Sequence, residues 1–301
     1  MGRVGLVGCG AWGRFILRDL VSLGCEVPVV VRSERSIENA EGGGAERVVG
    51  TIGELPEVGG VVVATNTPTH AAIVEEALEL GVPVYVEKPL ADDVRDAERL
   101  AALAPDRLFV MDKWRYHHGV ELLAEIARSR ELGRVIGLRT SRIGWGNPHD
   151  VDAVWILAPH DLSIGLEVLG HLPAARSAVA DAVDGTATGL VGLLGESPWL
   201  TLDVSARAPT RRREVVLVCE EGVAVLGDGY ADRVQVIRGA DPSDAASEPE
   251  EREISTELPL LRELRAFVEH LDGGPAPKSS AAEGAQIVRT IVELRTLAGL
   301  S

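Results

Sequence analysis

A chain of 301 residues has room for two domains, or for one large one. Apolar residues make up 46% and charged residues 25%, which allows a real core; with aromatics at 4%, that core must rest on Val, Leu, Ala and Ile. A formal net charge of −16 leaves no overall basic footprint and so argues against a nucleic-acid partner.

Residues 4–7 form a short apolar run that leads into a helical pattern over 11–23, apolar at Phe15, Ile16, Leu20, Val21 and Leu23, with Gly24 placed to close it. Residues 27–31 and 61–64 are continuous apolar runs, as strands buried on both faces are. A helix over 70–80 shows Ile73, Val74, Ala77 and Leu78 on one face, followed by a strand over 82–86, a helix over 92–104 and a strand over 108–111. Three consecutive glycines within 41–46 predict a second crossover that is short or irregular. Strand and helix in alternation predict a parallel, doubly wound α/β sheet, a Rossmann dinucleotide-binding domain over 1–116.

After residue 116 the pattern changes. A helix over 119–130, a strand over 135–143 and a helix around 161–169 precede strands over 188–194, 199–206, 214–219, 223–226 and 233–237. Close spacing and tight turns at Glu221-Gly222 and Asp228-Gly229 predict a mainly antiparallel open sheet. The acidic stretch 241–253 reads as a solvated loop, and helices over 259–271 and 281–297 end the chain. Residues 117–301 are thus expected to form an α+β substrate-binding and oligomerisation domain.

Cys9, Cys25 and Cys219 form no C-x-x-C pair, so neither a metal site nor a disulfide framework is indicated. Scattered thiols, the absence of a signal-peptide pattern and apolar runs too short for a bilayer, such as residues 60–64, predict a cytoplasmic protein with no membrane partner.

Gly8-Cys9-Gly10-Ala11-Trp12-Gly13 is a G-x-G-x-x-G between the first strand and the first helix. In that context Gly8 permits the tight turn, Gly10 lets the backbone approach a pyrophosphate, and Gly13 lets the helix pack on its strand. The N–H groups of Ala11 and Trp12 would face the phosphates. At the end of the second strand stand Arg32, Ser33, Glu34 and Arg35. Arg32 and Arg35 can pair with a 2′-phosphate and Ser33 can donate to it, which favours NADP; Glu34 would serve NAD if the strand ended two residues later.

Glu87-Lys88-Pro89 follows the run 82–86, at the strand edge where open α/β sheets bind ligands. With this triplet after a G-x-G-x-x-G domain, the chain resembles the Gfo/Idh/MocA oxidoreductases. The stretch from Ala64 through Thr65, Asn66 and Thr67 to His70 is similar to that family's cofactor-contacting loop; Trp114-Arg115-Tyr116-His117 is similar to its entry into the second domain. Ala158-Pro159-His160-Asp161-Leu162 is similar to its catalytic histidine segment, nearest to that of nucleotide-sugar dehydrogenases and ketosugar reductases. Pro259-Leu260, Glu263-Leu264 and Phe267 match the family's ending. The resemblance implies a cis Lys88-Pro89 peptide, Lys88 as the central catalytic group, His160 as acid/base and Glu87 orienting the lysine. It also implies cofactor contacts from Thr65, Asn66, His70, Glu87, Lys88 and Arg115.

One position departs from the family. Four residues before His160, where an aspartate is usual, stands Ile156. Either Asp152 substitutes, or Lys88 and His160 work without a carboxylate, or catalysis has been lost. The expectation is hydride transfer between NAD(P) and a secondary alcohol or ketone of a sugar, inositol or nucleotide-linked sugar. The alternatives are a non-catalytic NAD(P)-binding sensor and an NAD-dependent glycoside hydrolase of the same family. His149 and His171 read as structural, and of His117 and His118 one is expected near the cleft. Trp145, Trp155 and Tyr116 are candidates to stack on a sugar ring, and Arg211-Arg212-Arg213 to reach a substrate phosphate, though packing and solvated charge are the plainer readings. An antiparallel sheet must cover its outer face, which predicts a homodimer or homotetramer.

Overall fold

Short apolar runs pair side by side in the computed structural model, which describes residues 2–146, 152–239 and 248–300. The chain divides into two units: Met1–Lys113 with Leu258–Val288, and Trp114–Glu257 with Arg289–Ser301.

In the first unit the elements are β1 (Val4–Val7), α1 (Gly13–Ser22), β2 (Pro28–Val30), α2 (Glu34–Gly42), β3 (Arg47–Val49), β4 (Gly60–Val63), α3 (His70–Leu78), β5 (Val84–Glu87), α4 (Val94–Leu103) and β6 (Leu108–Met111). The strands run in the order β3-β2-β1-β4-β5-β6, and all their pairings are parallel. That is the doubly wound dinucleotide-binding order. Every residue of β1, β4 and β6 is buried, which is why these strands read as unbroken apolar runs. The second crossover is more regular than its glycines predict: α2 runs for nine residues, started by Ser33, whose side chain accepts from the Ser36 N–H. The glycines only end it. A side chain at Gly43 would meet Leu17 Cδ2 at 2.7 Å, so the end of α2 approaches helix α1 there without room for a Cβ.

The helix α7 (Pro259–Leu271) also belongs to this unit. Leu260, Glu263, Leu264, Phe267 and Val268 form its buried stripe, and Phe267 packs on Tyr85 with ring centroids 4.9 Å apart. Residues 258–288 therefore pack with the dinucleotide-type sheet, which corrects the assignment of the whole span 117–301 to the second region.

The second unit holds α5 (His118–Ser129), β7 (Val135–Trp145), α6 (Ala153–Leu169), β8 (Ala175–Val183), β9 (Thr186–Gly195), β10 (Trp199–Ser205), β11 (Arg207–Cys219), β12 (Gly222–Leu226), β13 (Arg233–Arg238) and β14 (Glu250–Glu253). Helix α8 (Ala281–Leu297) contributes its residues up to Val288 to the first unit and the rest to this one. The sheet order is β14-β13-β12-β11-β7-β10-β9-β8, antiparallel throughout except for the parallel pair β7–β10. Alternating burial along β10 and β12 marks one face turned to a core.

Three expectations need correction. Helix α6 begins at Ala153, not near Asp161, with Asp152 accepting from the Val154 and Trp155 N–H groups at its start and Pro159 inside it. It is apolar nearly all round, and packing on both sides holds it where local propensity reads a break. Strand β8 was not anticipated. Of the acidic stretch 241–253, residues 250–253 form the edge strand β14; residues 241–247 lie outside the described ones, as does His149.

Candidate cofactor and catalytic site

The turn after β1 shows why each glycine is where it is. Gly8 has φ +94°, and a Cβ there would lie 2.6 Å from the Ala64 carbonyl oxygen. A Cβ on Gly13 would lie 2.3 Å from the Gly8 oxygen, whereas one on Gly10 would point into open space. Helix α1 has Trp12 at its N-cap and no side-chain cap; the Arg14 and Phe15 N–H groups turn back to the Gly10 and Trp12 carbonyls at 3.3 and 2.9 Å, and the helix start is the positive end of its dipole. The arrangement fits a dinucleotide pyrophosphate.

Past β2, Arg32, Ser33, Glu34 and Arg35 are all exposed. Arg32 Nε donates to the Gly50 carbonyl at 3.1 Å. Ser33 is occupied as the α2 cap and donates its hydroxyl to Ser36 Oγ at 2.8 Å.

Glu87 ends β5, and the Lys88-Pro89 peptide that follows is cis. Glu87 Oε2 accepts from the Lys88 N–H at 3.1 Å, and its Oε1 accepts from the indole N–H of Trp12. The Lys113 ammonium lies 4.1 Å from the centroid of the Trp12 ring, a cation–π contact. Burial pushes the Glu87 carboxyl above the ordinary carboxylate range, with Lys88 and Lys113 pulling the other way. Trp12, expected to act only through its backbone, thus joins the glycine turn to the Glu87-Lys88 strand end.

His70 is 1% exposed and stands between two carbonyls, with Nδ1 2.8 Å from Pro89 O and Nε2 3.1 Å from Thr65 O. Burial lowers its pKa and favours the neutral ring, which can donate to only one of them. Its imidazole ties the Thr65 loop to the residue after Lys88. Thr65 Oγ1 accepts from Thr69 Oγ1 at 2.9 Å, and Asn66 opens the short 3₁₀ turn Thr67–Thr69.

Two further carboxyls sit in this unit. Asp112 is 0% exposed and Glu263 1%. Burial, then Glu87 and Asp112, raise the Glu263 carboxyl well above its ordinary value, with Lys113 and the Tyr85 hydroxyl opposing. Sequence reading gave neither residue a role in the site, although Glu263 carried a signal: its spacing from Leu260 and Phe267 puts it on the apolar stripe of α7.

The second unit carries His160 and Arg115. His160 lies inside α6, its ring edge-on to Trp114 with centroids 6.5 Å apart. Trp114 also stacks on His117 at 5.2 Å and takes the Arg142 guanidinium at 4.3 Å from its ring centroid. Arg142 Nε donates to Asp161 Oδ2 at 2.8 Å in a fully buried ion pair. Arg115, expected at the cofactor, is 8% exposed and paired with Glu167 at 3.1 Å. His117 caps α5: its Nδ1 accepts from the Gly119 N–H, so Nε2 carries the proton toward the Gly229 carbonyl at 3.1 Å. Asp152, the alternative carboxylate to Ile156, is engaged at the start of the helix. It caps α6, pairs with Arg295, and lies eight residues before His160, about 12 Å along the helix axis.

Among the described residues no group of His, Cys, Asp and Glu is placed to hold a metal ion, and no helix is long and apolar enough to cross a membrane.

Residues 2–110 match the model of the Gfo/Idh/MocA oxidoreductase family, NAD-binding Rossmann fold. The UDP-N-acetylglucosamine 3-dehydrogenase of Acidithiobacillus ferrooxidans is 28% identical over 211 residues, 67% of this chain and 63% of that protein. The aligned part thus spans less than two thirds of that relative's length. Its crystal structure superimposes with a TM-score of 0.86 at 21% identity, covering 99% of this chain and 98% of the other. A levoglucosan dehydrogenase in complex with NADH and levoglucosan gives 0.87 at 17% identity, covering 99% and 97%. A 3-ketoreductase from Actinomadura kijaniata in complex with TDP-benzene and NADP gives 0.84 at 19%, covering 98% and 96%. At these identities the structural likeness establishes the fold.

Proposed function

We propose that the chain, whose residues 2–110 match the Gfo/Idh/MocA family of NAD-binding oxidoreductases, acts as a member of it and transfers hydride between NAD(P) and a secondary alcohol or ketone of a sugar, inositol or nucleotide-linked sugar. One observation carries the reading: Glu87, next to Lys88, is hydrogen-bonded to Trp12 of the glycine turn, so the cofactor turn and the lysine-bearing strand end are tied together by a side chain.

A nicotinamide cofactor held at the glycine turn would supply the hydride chemistry. Lys88 hydrogen-bonds the substrate oxygen and stabilises the charge that develops there. Its carboxylate neighbour Glu87 holds the strand end and partly offsets the lysine's charge. His160 is assigned the proton exchange; the side chain of Ile156 is no carboxylate, and Asp152 caps α6 and pairs with Arg295. The exposed guanidinium of Arg35, with Arg32, supports NADP over NAD. Val179, Val191 and Leu193, on one sheet face, are 68%, 48% and 36% exposed, which supports self-association of a second copy there. Three buried free thiols fit the cytoplasm.

The test is incubation with NADP or NAD and a panel of sugars, inositols and nucleotide sugars. A net change in nicotinamide absorbance with one of them is the expected result. Sugar release without net reduction would make the protein a glycoside hydrolase. Tight cofactor binding with neither would make it a sensor, the reading that Ile156 favours. Sedimentation showing only monomer at micromolar concentration would remove the oligomer.

A further inference from the structure

Within the second unit a small cavity opens where β7, β10 and β11 come together beside α6. It measures about 60 Å³ and is lined by Gly144 and Trp145 of β7, Leu157 of α6, Ser205 of β10, and Arg211 and Arg213 of β11. One water needs roughly 10–15 Å³ by this measure, so the space suits a group of several heavy atoms.

Its charge is unusual for a chain of net charge −16. Arg211 and Arg213 are two residues apart on one strand and so share a face. Arg213 also stands directly opposite Arg142 across the antiparallel pair β7–β11, a placement in which like charges repel. Arg142 has a carboxylate of its own in Asp161, at 2.8 Å. Arg213 has none among the described residues: its Nη1 donates to the carbonyls of Ile143 at 2.6 Å and Arg212 at 2.9 Å, which neutralise no charge. Burial, with Arg142 and Arg211, lowers the pKa of Arg213, and the attraction of Asp161 and Asp228 only partly offsets this. Arg211 lies over the Tyr230 ring at 4.9 Å. The cavity is close to the histidine segment. Leu157, which lines it, and Asp161, which pairs with Arg142, lie four residues apart on α6 on either side of His160.

We propose that this cavity is a phosphoryl-binding subsite, in which Arg211 and Arg213 hold a phosphate carried by the substrate and the 68% exposed ring of Trp145 gives a flat apolar face for the attached ring. Guanidinium forks suit phosphate oxygens, and the bound anion would relieve the Arg142–Arg213 repulsion. The inference rests on the dehydrogenase reading and narrows it: the substrate is a sugar phosphate or a nucleotide-linked sugar, not a neutral polyol.

Calorimetric titration of the full chain with UDP, glucose 1-phosphate, inorganic phosphate and myo-inositol tests it without requiring turnover. UDP or glucose 1-phosphate should bind, and Arg211→Ala and Arg213→Gln should each weaken that binding by about tenfold or more, with NADP affinity unchanged. Arg211 is exposed, so its substitution leaves the fold intact even if that of Arg213 does not. Tighter binding of UDP identifies a nucleoside diphosphate as the source of the phosphate; tighter binding of glucose 1-phosphate identifies a sugar phosphate. No binding of either compound, or binding unaltered by both substitutions, overturns the subsite. Turnover of a neutral sugar with no phosphate dependence would sink the subsite and leave the dehydrogenase standing. Arginine-dependent UDP binding without any hydride transfer would do the reverse.

Discussion

The indole N–H of Trp12 donates to Glu87 Oε1, joining a residue of the glycine turn to one 75 positions later at the end of β5. The same carboxylate accepts from the Lys88 backbone, so three residues assigned separate roles form one unit. Trp12→Phe keeps the ring under Lys113 and removes the donor. A hydrogen bond to a charged group contributes about 1.5–3 kcal/mol, so kcat/KM should fall by about tenfold or more. Steady-state kinetics showing no change would make the tie incidental.

Lys88→Ala removes the group proposed to stabilise charge on the substrate oxygen. Turnover should drop by about 10²–10⁴ while cofactor affinity, read by nicotinamide fluorescence, is largely kept. An unaltered kcat would refute the assignment.

Arg35→Ala should raise the Kd for NADP and leave that for NAD nearly unchanged, because only NADP carries the 2′-phosphate. Titrations with both cofactors measure the ratio, and a parallel loss for both would show that Arg35 does not read the phosphate.

The proton on Glu263 is held well above the carboxylate range, first by burial and then by Glu87 and Asp112. A carboxyl whose folded pKa is raised contributes stability below its unfolded value, near 4.5, and loses it as pH rises through the folded value. Glu263→Gln cannot ionise, so its melting temperature relative to the parent protein should climb as pH rises above the ordinary carboxylate value of 4.5. A difference that stays flat with pH would mean that Glu263 is ionised throughout.

Asp161→Asn leaves the 4% exposed Arg142 without its carboxylate and facing Arg213. Breaking a buried pair from one side costs about 3–5 kcal/mol, a loss that urea unfolding would detect. Replacing both partners with apolar residues should recover much of it. Equal losses in the single and double variants would show that the pairing itself is not what matters.

The dinucleotide half was legible in the sequence because its signals are local. Gly8 needs a positive φ and Gly13 a missing Cβ within one turn of chain, and strands buried on both faces announce themselves as apolar runs. Glu87-Lys88-Pro89 was equally readable as a short motif at a strand end. The second unit was read less well. Pro159 and the polar residues around it looked like a helix start, yet α6 begins at Ala153, because the sheet beneath it supplies packing that local propensity does not register.

By itself, then, the sequence determined the parallel sheet, the glycine turn and the lysine at the edge of β5, all set by backbone sterics and side-chain period over a few residues. Only the tertiary structure decided that α7 packs with the first unit, that Glu263 and Asp112 are sealed beside Glu87, and that Arg142 faces Arg213. These depend on strand register and on contacts between residues far apart in the chain. A shift of one residue in register would turn each side chain to the other face, and no local pattern specifies it.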